Sequence, residues 1–127
     1  MRPAILLVED RADDRYLMRW LLSHFDAEIC EAHNGRMALD AVRDAAPCLV
    51  VLDLGLPDMD GMELLRHLRS SPECAEVPIV VVTARALPEE RRLAMGVGCN
   101  AYLAKPVDPG TLRAVVESLL DPAKVES

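Results

Sequence analysis

The residues of this chain that can do chemistry are a few acids, one threonine and one lysine, and each follows a short apolar run. Glu9 and Asp10 follow AILLV, Asp53 follows CLVVL, and Thr83 and Lys105 come after two further runs. An unpaired carboxylate rarely ends a buried segment, because removing its charge from water is costly. These five residues are therefore the candidates for a functional site.

If the acids lie close together, they need positive charge beside them. Two carboxylates about 4 Å apart repel each other by on the order of 4 kcal/mol at an effective dielectric constant of about 20. Lys105 supplies one positive charge, and a divalent cation would supply the rest. Carboxylate and carbonyl oxygens, with no cysteine or histidine beside them in these motifs, favour Mg²⁺ over zinc.

The elements that must position these residues alternate along the chain. Five apolar or alternating segments are typical of strands: 4–8, 28–32, 48–52, 77–82 and 101–104. The second of them is weaker and alternates, which suits the edge of a sheet. A helical pattern follows each strand, beginning near Asp13 or Asp14, Asn34, Gly61, Pro88, and Asp108 or Thr111. The segment PDMDG is predicted to be a turn in which Asp58 and Asp60 have no further role.

Strands with continuous apolar runs, each followed by a helix, indicate a parallel sheet that is covered on both faces. We therefore predict an α/β fold with a doubly wound, five-stranded parallel sheet in a three-layer α/β/α sandwich. Ligands bind such sheets at the carboxyl ends of the strands. The five candidate residues should converge on that rim.

The bulk composition restricts the classes of function. With 127 residues, of which 51% are apolar, the chain suits one domain, predicted as 1–121 followed by a tail over 122–127. The net charge of −7 argues against direct binding of nucleic acid. No apolar run approaches the roughly 20 residues of a membrane span, and the N-terminus lacks the pattern of a signal peptide. The four cysteines lack CxxC spacing, so we expect reduced thiols and a cytoplasmic location.

One family combines these features. The motifs Glu9-Asp10, Asp53, Thr83-Ala84, Tyr102 and Lys105-Pro106, with LPDMDG after the central acid, resemble those of the receiver domain of two-component response regulators. The resemblance extends from about residue 5 to residue 120, and its five motifs occur in the right order. It implies a flavodoxin-like fold with the strand order 2-1-3-4-5.

The resemblance also implies a chemical role for the acids. Asp53 would be the phosphoacceptor, which takes a phosphoryl group from a histidine on a partner kinase or histidine phosphotransfer protein. Glu9, Asp10, Asp53 and the backbone carbonyl of Gly55 would hold Mg²⁺, which neutralises charge during phosphoryl transfer. Gly55 and Arg85 would flank the path of the water that later hydrolyses the aspartyl phosphate.

The remaining motifs would bind the phosphoryl group and transmit the signal. Lys105 would pair with one phosphoryl oxygen, and Thr83 would donate its hydroxyl to another. Tyr102 would turn inward when Thr83 moves, and the peptide bond between Lys105 and Pro106 would be cis. The surface of the fourth helix, fifth strand and fifth helix would then shift between two packings.

On this interpretation the chain is not an enzyme that turns over an external substrate. It would phosphorylate and dephosphorylate itself, and it would act by contact with an unknown downstream protein, with no direct contact with nucleic acid or a membrane. It is expected to stand alone as a monomer or as a weak, phosphorylation-dependent dimer.

Three other interpretations stay open. A phosphatase of the haloacid dehalogenase class also uses an aspartate, a threonine, a lysine and Mg²⁺, but it needs an acid where Gly55 stands. A flavodoxin-like cofactor module would need a glycine-rich phosphate loop after the first strand, where this chain has EDRADD. A receiver that only docks, without phosphorylation, would not need the complete set of site residues.

Overall fold

The computed structural model describes residues 3–120. The strands are β1 (Ala4–Val8), β2 (Glu28–Ala32), β3 (Leu49–Asp53), β4 (Ile79–Thr83) and β5 (Ala101–Ala104). The helices are α1 (Ala12–Leu22), α2 (Gly35–Asp44), α3 (Gly61–Ser70), α4 (Pro88–Val97) and α5 (Pro109–Leu120). The predicted tail, 122–127, lies outside the described residues. No helix over 3–120 is long and apolar enough to cross a membrane.

The five strands form one parallel sheet in the order β2-β1-β3-β4-β5, which confirms the predicted topology. The central strands β3 and β4 are buried along their whole length, as their continuous apolar sequences require. Strand β2 lies at one edge, and its side chains alternate in exposure, as predicted from its weaker pattern. The carboxyl ends of β1, β3, β4 and β5 are neighbours at one rim.

Helices cover both faces of the sheet, because successive strand residues point to opposite sides. One core packs α1 and α5 against the sheet and includes Leu7, Val51 and Val80. The other packs α2, α3 and α4 against the opposite face and includes Leu52 and Val81. This is the predicted three-layer sandwich, and it holds the strand ends rigidly with respect to one another.

The turn between β3 and α3 does more than the sequence indicated. Asp58 accepts hydrogen bonds from the backbone N–H groups of Gly35 (2.9 Å) and Arg36 (3.0 Å), at the start of α2. The bond from Gly35 is the main cause that lowers the pKa of the Asp58 carboxyl. The prediction that Asp58 has no further role was therefore wrong, since it ties this turn to a neighbouring helix. Asp60 accepts from Met62 N–H (3.1 Å) and begins α3.

Two other helix starts differ in detail from the sequence interpretation. The residue before the first turn of α1 is Arg11, so that Asp13 and Asp14 lie within the turn and do not precede it. Asp108 precedes α5 and accepts from the N–H (2.8 Å) and hydroxyl (2.9 Å) of Thr111. Acids in a first helical turn are still favourable, because the helix dipole is positive there.

Gly61 allows the loop after β3 to fold tightly. A Cβ atom at this position would lie 2.3 Å from the Cα of Leu54, so no side chain fits without moving the backbone. The N–H of Gly61 donates to the carbonyl of Leu54 at 3.2 Å. This close approach keeps the residues that follow Asp53 in one position at the rim.

Arg69 ties together the opposite end of the sheet. Its guanidinium donates to the carbonyls of Gly98 (2.9 Å), Cys74 (2.8 Å) and Val77 (2.6 Å), and to the side-chain oxygen of Asn100 (2.8 Å). Burial lowers the pKa of the guanidinium. The amino ends of β4 and β5 are thereby fixed to the end of α3.

Candidate functional site

The predicted site residues stand out by their burial. Across residues 3–120, the buried polar or charged side chains are those of Glu9 (2% exposed), Asp53 (7%) and Thr83 (4%). All three were predicted from the sequence as candidates. Each lies at the carboxyl end of β1, β3 or β4, or directly after it, so these buried polar side chains are gathered at one rim of the sheet.

Lys105 joins the buried acids. Its ammonium donates to Glu9 Oε1 at 2.6 Å and to Asp53 Oδ2 at 2.7 Å, although the three residues come from different strand ends. The peptide bond between Lys105 and Pro106 is cis, as the resemblance implied. The backbone N–H of Lys105 donates to the carbonyl of Thr83 at 2.9 Å, which extends the pairing of β4 and β5 to the site.

Burial and the neighbouring charged groups change the pKa values of Glu9 and Lys105. Burial is the main cause that raises the pKa of the Glu9 carboxyl, the hydrogen bond from Lys105 lowers it and the nearby Asp53 raises it, so that the pKa lies at about 7. Burial would lower the pKa of the Lys105 ammonium, but hydrogen bonds to Asp53, Glu9 and Asp14 outweigh it and raise that pKa. Burial and neighbouring acids therefore oppose ionisation of Glu9, while the same acids keep Lys105 as a cation.

Three carboxylates form an acidic cluster that suits a metal ion. Glu9, Asp10 and Asp53 each offer a carboxylate oxygen, and these oxygens lie within 4.8 Å of one another. An all-oxygen donor set of this kind fits a hard divalent cation such as Mg²⁺. The remaining predicted ligand is the backbone carbonyl of Gly55. The backbone N–H of Gly55 donates to Asp53 Oδ1 at 2.9 Å.

Asp14 joins the site, which the sequence interpretation did not foresee. Its Oδ2 atom accepts a hydrogen bond from the Lys105 ammonium at 2.9 Å, and the Nε atom of Arg11 lies 3.6 Å from the same oxygen. The sequence interpretation considered Asp14 only as a helix cap. A signal was present, since Asp14 lies in the first turn of α1, where side chains lean back towards the start of the helix and hence towards the rim.

Arg15 binds the backbone of two residues of the acidic cluster, and the sequence analysis did not predict this role. Its Nη1 atom donates to the backbone carbonyls of Glu9 (2.9 Å) and Asp10 (3.2 Å). The Glu9 side chain also accepts from the N–H of Arg11 at 3.2 Å. These contacts fix the backbone between β1 and α1 that presents two of the three clustered acids.

Thr83 and Tyr102 lie beside the site on its β4 and β5 side. The hydroxyl oxygen of Thr83 accepts from Arg85 N–H at 3.2 Å. Tyr102 is buried, and its hydroxyl donates to Glu90 Oε1 at 2.8 Å and lies 3.2 Å from the carbonyl oxygen of Arg85. Burial, followed by the Glu90 carboxylate, raises the pKa of the Tyr102 phenol. Glu90 was not predicted as a partner of Tyr102.

Comparison with known proteins gives a consistent result. A family model described as the response regulator receiver domain matches residues 5–117. The polar-differentiation response regulator DivK of Brucella anthropi is 32% identical over 97% of this chain and 100% of its own length.

Solved structures agree with the fold. A CheY-like response regulator receiver domain protein from Methanospirillum hungatei superposes with a TM-score of 0.89 and 26% identity, and each chain is covered completely. The receiver domain of the sensor histidine kinase PA1611 from Pseudomonas aeruginosa has a TM-score of 0.84 and 27% identity, covering 94% of this chain and 98% of its own. That structure has a magnesium ion coordinated in its active site cleft.

Proposed function

The chain belongs to the response regulator receiver family of two-component signalling, and from that premise we propose that it accepts a phosphoryl group on Asp53 with the help of Mg²⁺. The observation that carries this proposal is the placement of Asp53. Its carboxylate is buried, lies in the acidic cluster and is bound by the Lys105 ammonium at 2.7 Å. A carboxylate held in this way is positioned to act as a nucleophile.

The transfer step needs few groups. A carboxylate oxygen of Asp53 forms a bond to phosphorus, the P–N bond of a phosphohistidine breaks, and its electron pair returns to the imidazole nitrogen. Glu9, Asp10 and Asp53 would hold Mg²⁺, which supplies neutralising charge for the phosphoryl oxygens. The magnesium in the cleft of the Pseudomonas aeruginosa receiver supports this assignment. Lys105 would neutralise a further phosphoryl oxygen.

The signal would leave through the side of the site at β4 and β5. Phosphorylation of Asp53 adds a charge near −2 and several acceptor oxygens. The Thr83 hydroxyl would then donate to a phosphoryl oxygen and give up its present bond from Arg85 N–H. The Tyr102 hydroxyl contacts the backbone carbonyl of the same Arg85 whose N–H binds Thr83. This exchange would therefore shift Tyr102 and the surface of α4, β5 and α5.

The partners follow from the chemistry. The upstream partner would be a histidine kinase or a histidine phosphotransfer protein, and the downstream partner would be a protein that recognises the altered surface. We expect no turnover of external phosphate esters. A haloacid dehalogenase-like phosphatase needs an acid two residues after its nucleophile, and Gly55 stands there. Release of p-nitrophenol from p-nitrophenyl phosphate would revive that alternative.

The proposal is tested by intact mass after incubation with acetyl phosphate, with and without Mg²⁺. We expect one phosphoryl adduct on the parent with Mg²⁺, and none on Asp53→Asn or without Mg²⁺. The matched control is Asp44→Asn, which removes an exposed carboxylate at the end of α2 and should still accept the group. An adduct that persists in Asp53→Asn, or a parent that takes no group from acetyl phosphate or any histidine kinase, would refute the proposal.

A further inference from the structure

The ammonium of Lys105 has no free proton for a new partner. An ammonium group has three N–H donors. Its three acceptors are Glu9 Oε1 (2.6 Å), Asp53 Oδ2 (2.7 Å) and Asp14 Oδ2 (2.9 Å). Lys105 must therefore break one of these hydrogen bonds before it can donate to a phosphoryl oxygen on Asp53.

The three acceptors differ in how easily they can be released. Glu9 is 2% exposed and belongs to the acidic cluster, so that water could not easily take the place of the lysine there. When one Asp53 oxygen bonds to phosphorus, the other remains a carbonyl oxygen that can still accept from Lys105, so this hydrogen bond need not break. The Asp14 side chain is 33% exposed and lies outside the acidic cluster, so water can replace the lysine there.

Asp14 also has a second cation at hand. The Nε atom of Arg11 lies 3.6 Å from the same Oδ2 atom that accepts from Lys105, and the Arg11 side chain is 71% exposed. Arg11 can therefore keep the Asp14 charge paired when Lys105 leaves. No comparable exposed cation contacts Glu9 through its side chain among the described residues, where the Glu9 carboxylate is bonded by Lys105 and by a backbone N–H.

On the basis of the proposed function, we propose that Asp14 is a positioning residue, the carboxylate that Lys105 exchanges for a phosphoryl oxygen when Asp53 becomes phosphorylated. One hydrogen bond from Lys105 to Asp14 breaks, one from Lys105 to the phosphoryl oxygen forms, and no proton is transferred. Asp14 thereby competes with the incoming group for Lys105 and lowers the rate at which the site accepts it.

The exchange predicts a specific kinetic effect. Asp14→Asn removes the charge that competes for Lys105 while keeping the size of the side chain. The rate of adduct formation from acetyl phosphate with Mg²⁺ should rise by about two- to tenfold, the range spanned by partly exposed ion pairs and charge-assisted hydrogen bonds. Asp14→Glu restores a carboxylate and should return the rate towards that of the parent.

The matched control is Asp13→Asn. Asp13 is an exposed acid in the same turn of α1, so this variant changes the net charge and the helix dipole interaction equally. A rate for Asp14→Asn that equals the rate for Asp13→Asn, or falls below that of the parent, would overturn the exchange while leaving the proposed function intact. A parent that forms no adduct would instead refute the proposed function, and the exchange would fall with it.

A measurement on the parent protein needs no variant and guards against a misfolded Asp14→Asn. The carboxyl carbon resonance of Asp14 reports its hydrogen bond from Lys105. We expect this resonance to shift when the phosphoryl adduct forms with Mg²⁺ present, and to remain in place when Mg²⁺ is added alone. An Asp14 resonance that does not move on adduct formation would overturn the proposal.

Discussion

The ammonium of Lys105 lies 2.7 Å from Asp53 Oδ2, although the two residues are 52 positions apart in the chain. The same ammonium lies 2.6 Å from Glu9 Oε1, so one cation serves two buried acids. A buried charge that loses its partner destabilises the folded state by several kcal/mol. The lysine therefore contributes to stability as well as to the proposed chemistry.

We predict that Lys105→Met lowers the free energy of unfolding at neutral pH by about 3 kcal/mol, the cost of an uncompensated buried charge. Mg²⁺ should recover more stability in this variant than in the parent, because it replaces the lost positive charge. Urea denaturation with and without Mg²⁺ measures both effects. Arg113→Met is the control, since the Arg113–Glu117 pair is exposed and should matter little. Equal stability of Lys105→Met and the parent would contradict the prediction.

Mg²⁺ should raise the thermal midpoint of the parent. A ligand that binds the folded state alone stabilises it in proportion to the logarithm of its concentration, and here it also relieves repulsion within the acidic cluster. Asp10→Asn should weaken this effect, whereas Glu63→Gln, on α3, should not. The midpoint is measured against NaCl at equal ionic strength. A midpoint that does not respond to millimolar-range Mg²⁺ would count against a metal site.

Gly55→Asn should alter the lifetime of the aspartyl phosphate without altering the fold. A Cβ at Gly55 would lie 3.7 Å from Asp53 Oδ1, an ordinary contact, and the backbone of Gly55 does not have a positive φ. An amide at this position can hold a water beside the acyl phosphate, so we expect a lifetime shortened by several-fold. Loss of the phosphoryl mass over time measures it. Gly96→Asn is the control, because a Cβ there meets nothing within 4 Å; identical lifetimes in all three proteins would reject the idea.

Asp58→Asn should lower the thermal midpoint in a way that depends on pH. The pKa of this carboxyl is lowered from its ordinary value of 3.8, chiefly by the hydrogen bond from Gly35 N–H. A group with a lowered pKa in the folded state stabilises it above its unfolded value and loses that contribution as the pH falls through the folded pKa. The difference in midpoint from the parent should therefore be full at pH 7 and shrink below pH 3.8.

The control for Asp58→Asn is Asp44→Asn at the other end of α2. A negative charge near the carboxyl end of a helix is unfavourable, so that this variant should not lower the midpoint at any pH. A constant difference between Asp58→Asn and the parent from pH 7 to pH 3 would show that the charge of Asp58 is not what stabilises the start of α2.

Glu90→Gln should lower the pKa of the Tyr102 phenol. Burial and the Glu90 carboxylate, 2.8 Å from the hydroxyl, both raise this pKa, and the substitution removes the second cause while leaving an oxygen that can accept. The carbon resonance next to the phenol oxygen of Tyr102 follows its ionisation, and Glu89→Gln in the same helical turn is the control. If Glu90→Gln and Glu89→Gln ionise Tyr102 at the same alkaline pH, the contact does not act as described.

The fold was predictable because burial and periodicity act on whole segments. The strands β3 and β4 are apolar at successive positions, and a segment with no polar face must lie inside a sheet covered on both sides. Boundaries were less predictable. The fourth strand was predicted from Val77, but pairing begins at Ile79, since the carbonyl of Val77 is bound by Arg69 instead of by a neighbouring strand.

The buried residues at the strand ends could be predicted from the sequence, whereas the helix residues that contact them could not. Glu9, Asp53 and Lys105 could be found because polar side chains at the ends of apolar runs are unusual. Asp14 and Glu90 could not be chosen in the same way, because acids in the first turn of a helix are common and serve the helix dipole. Whether such an acid also reaches a lysine or a tyrosine depends on contacts between elements that are far apart in the chain.

Arg69 has a consequence for how the sequence can vary. Its guanidinium binds the backbone carbonyls of Cys74 and Val77, so the path of the loop between α3 and β4 is set by its main chain and not by its own outward side chains. The side chains of Glu73 and Glu76 are exposed, so we expect that replacing them leaves the backbone path of this loop unchanged. Position 69 is not free in this way, because no other side chain presents the same fork of donors.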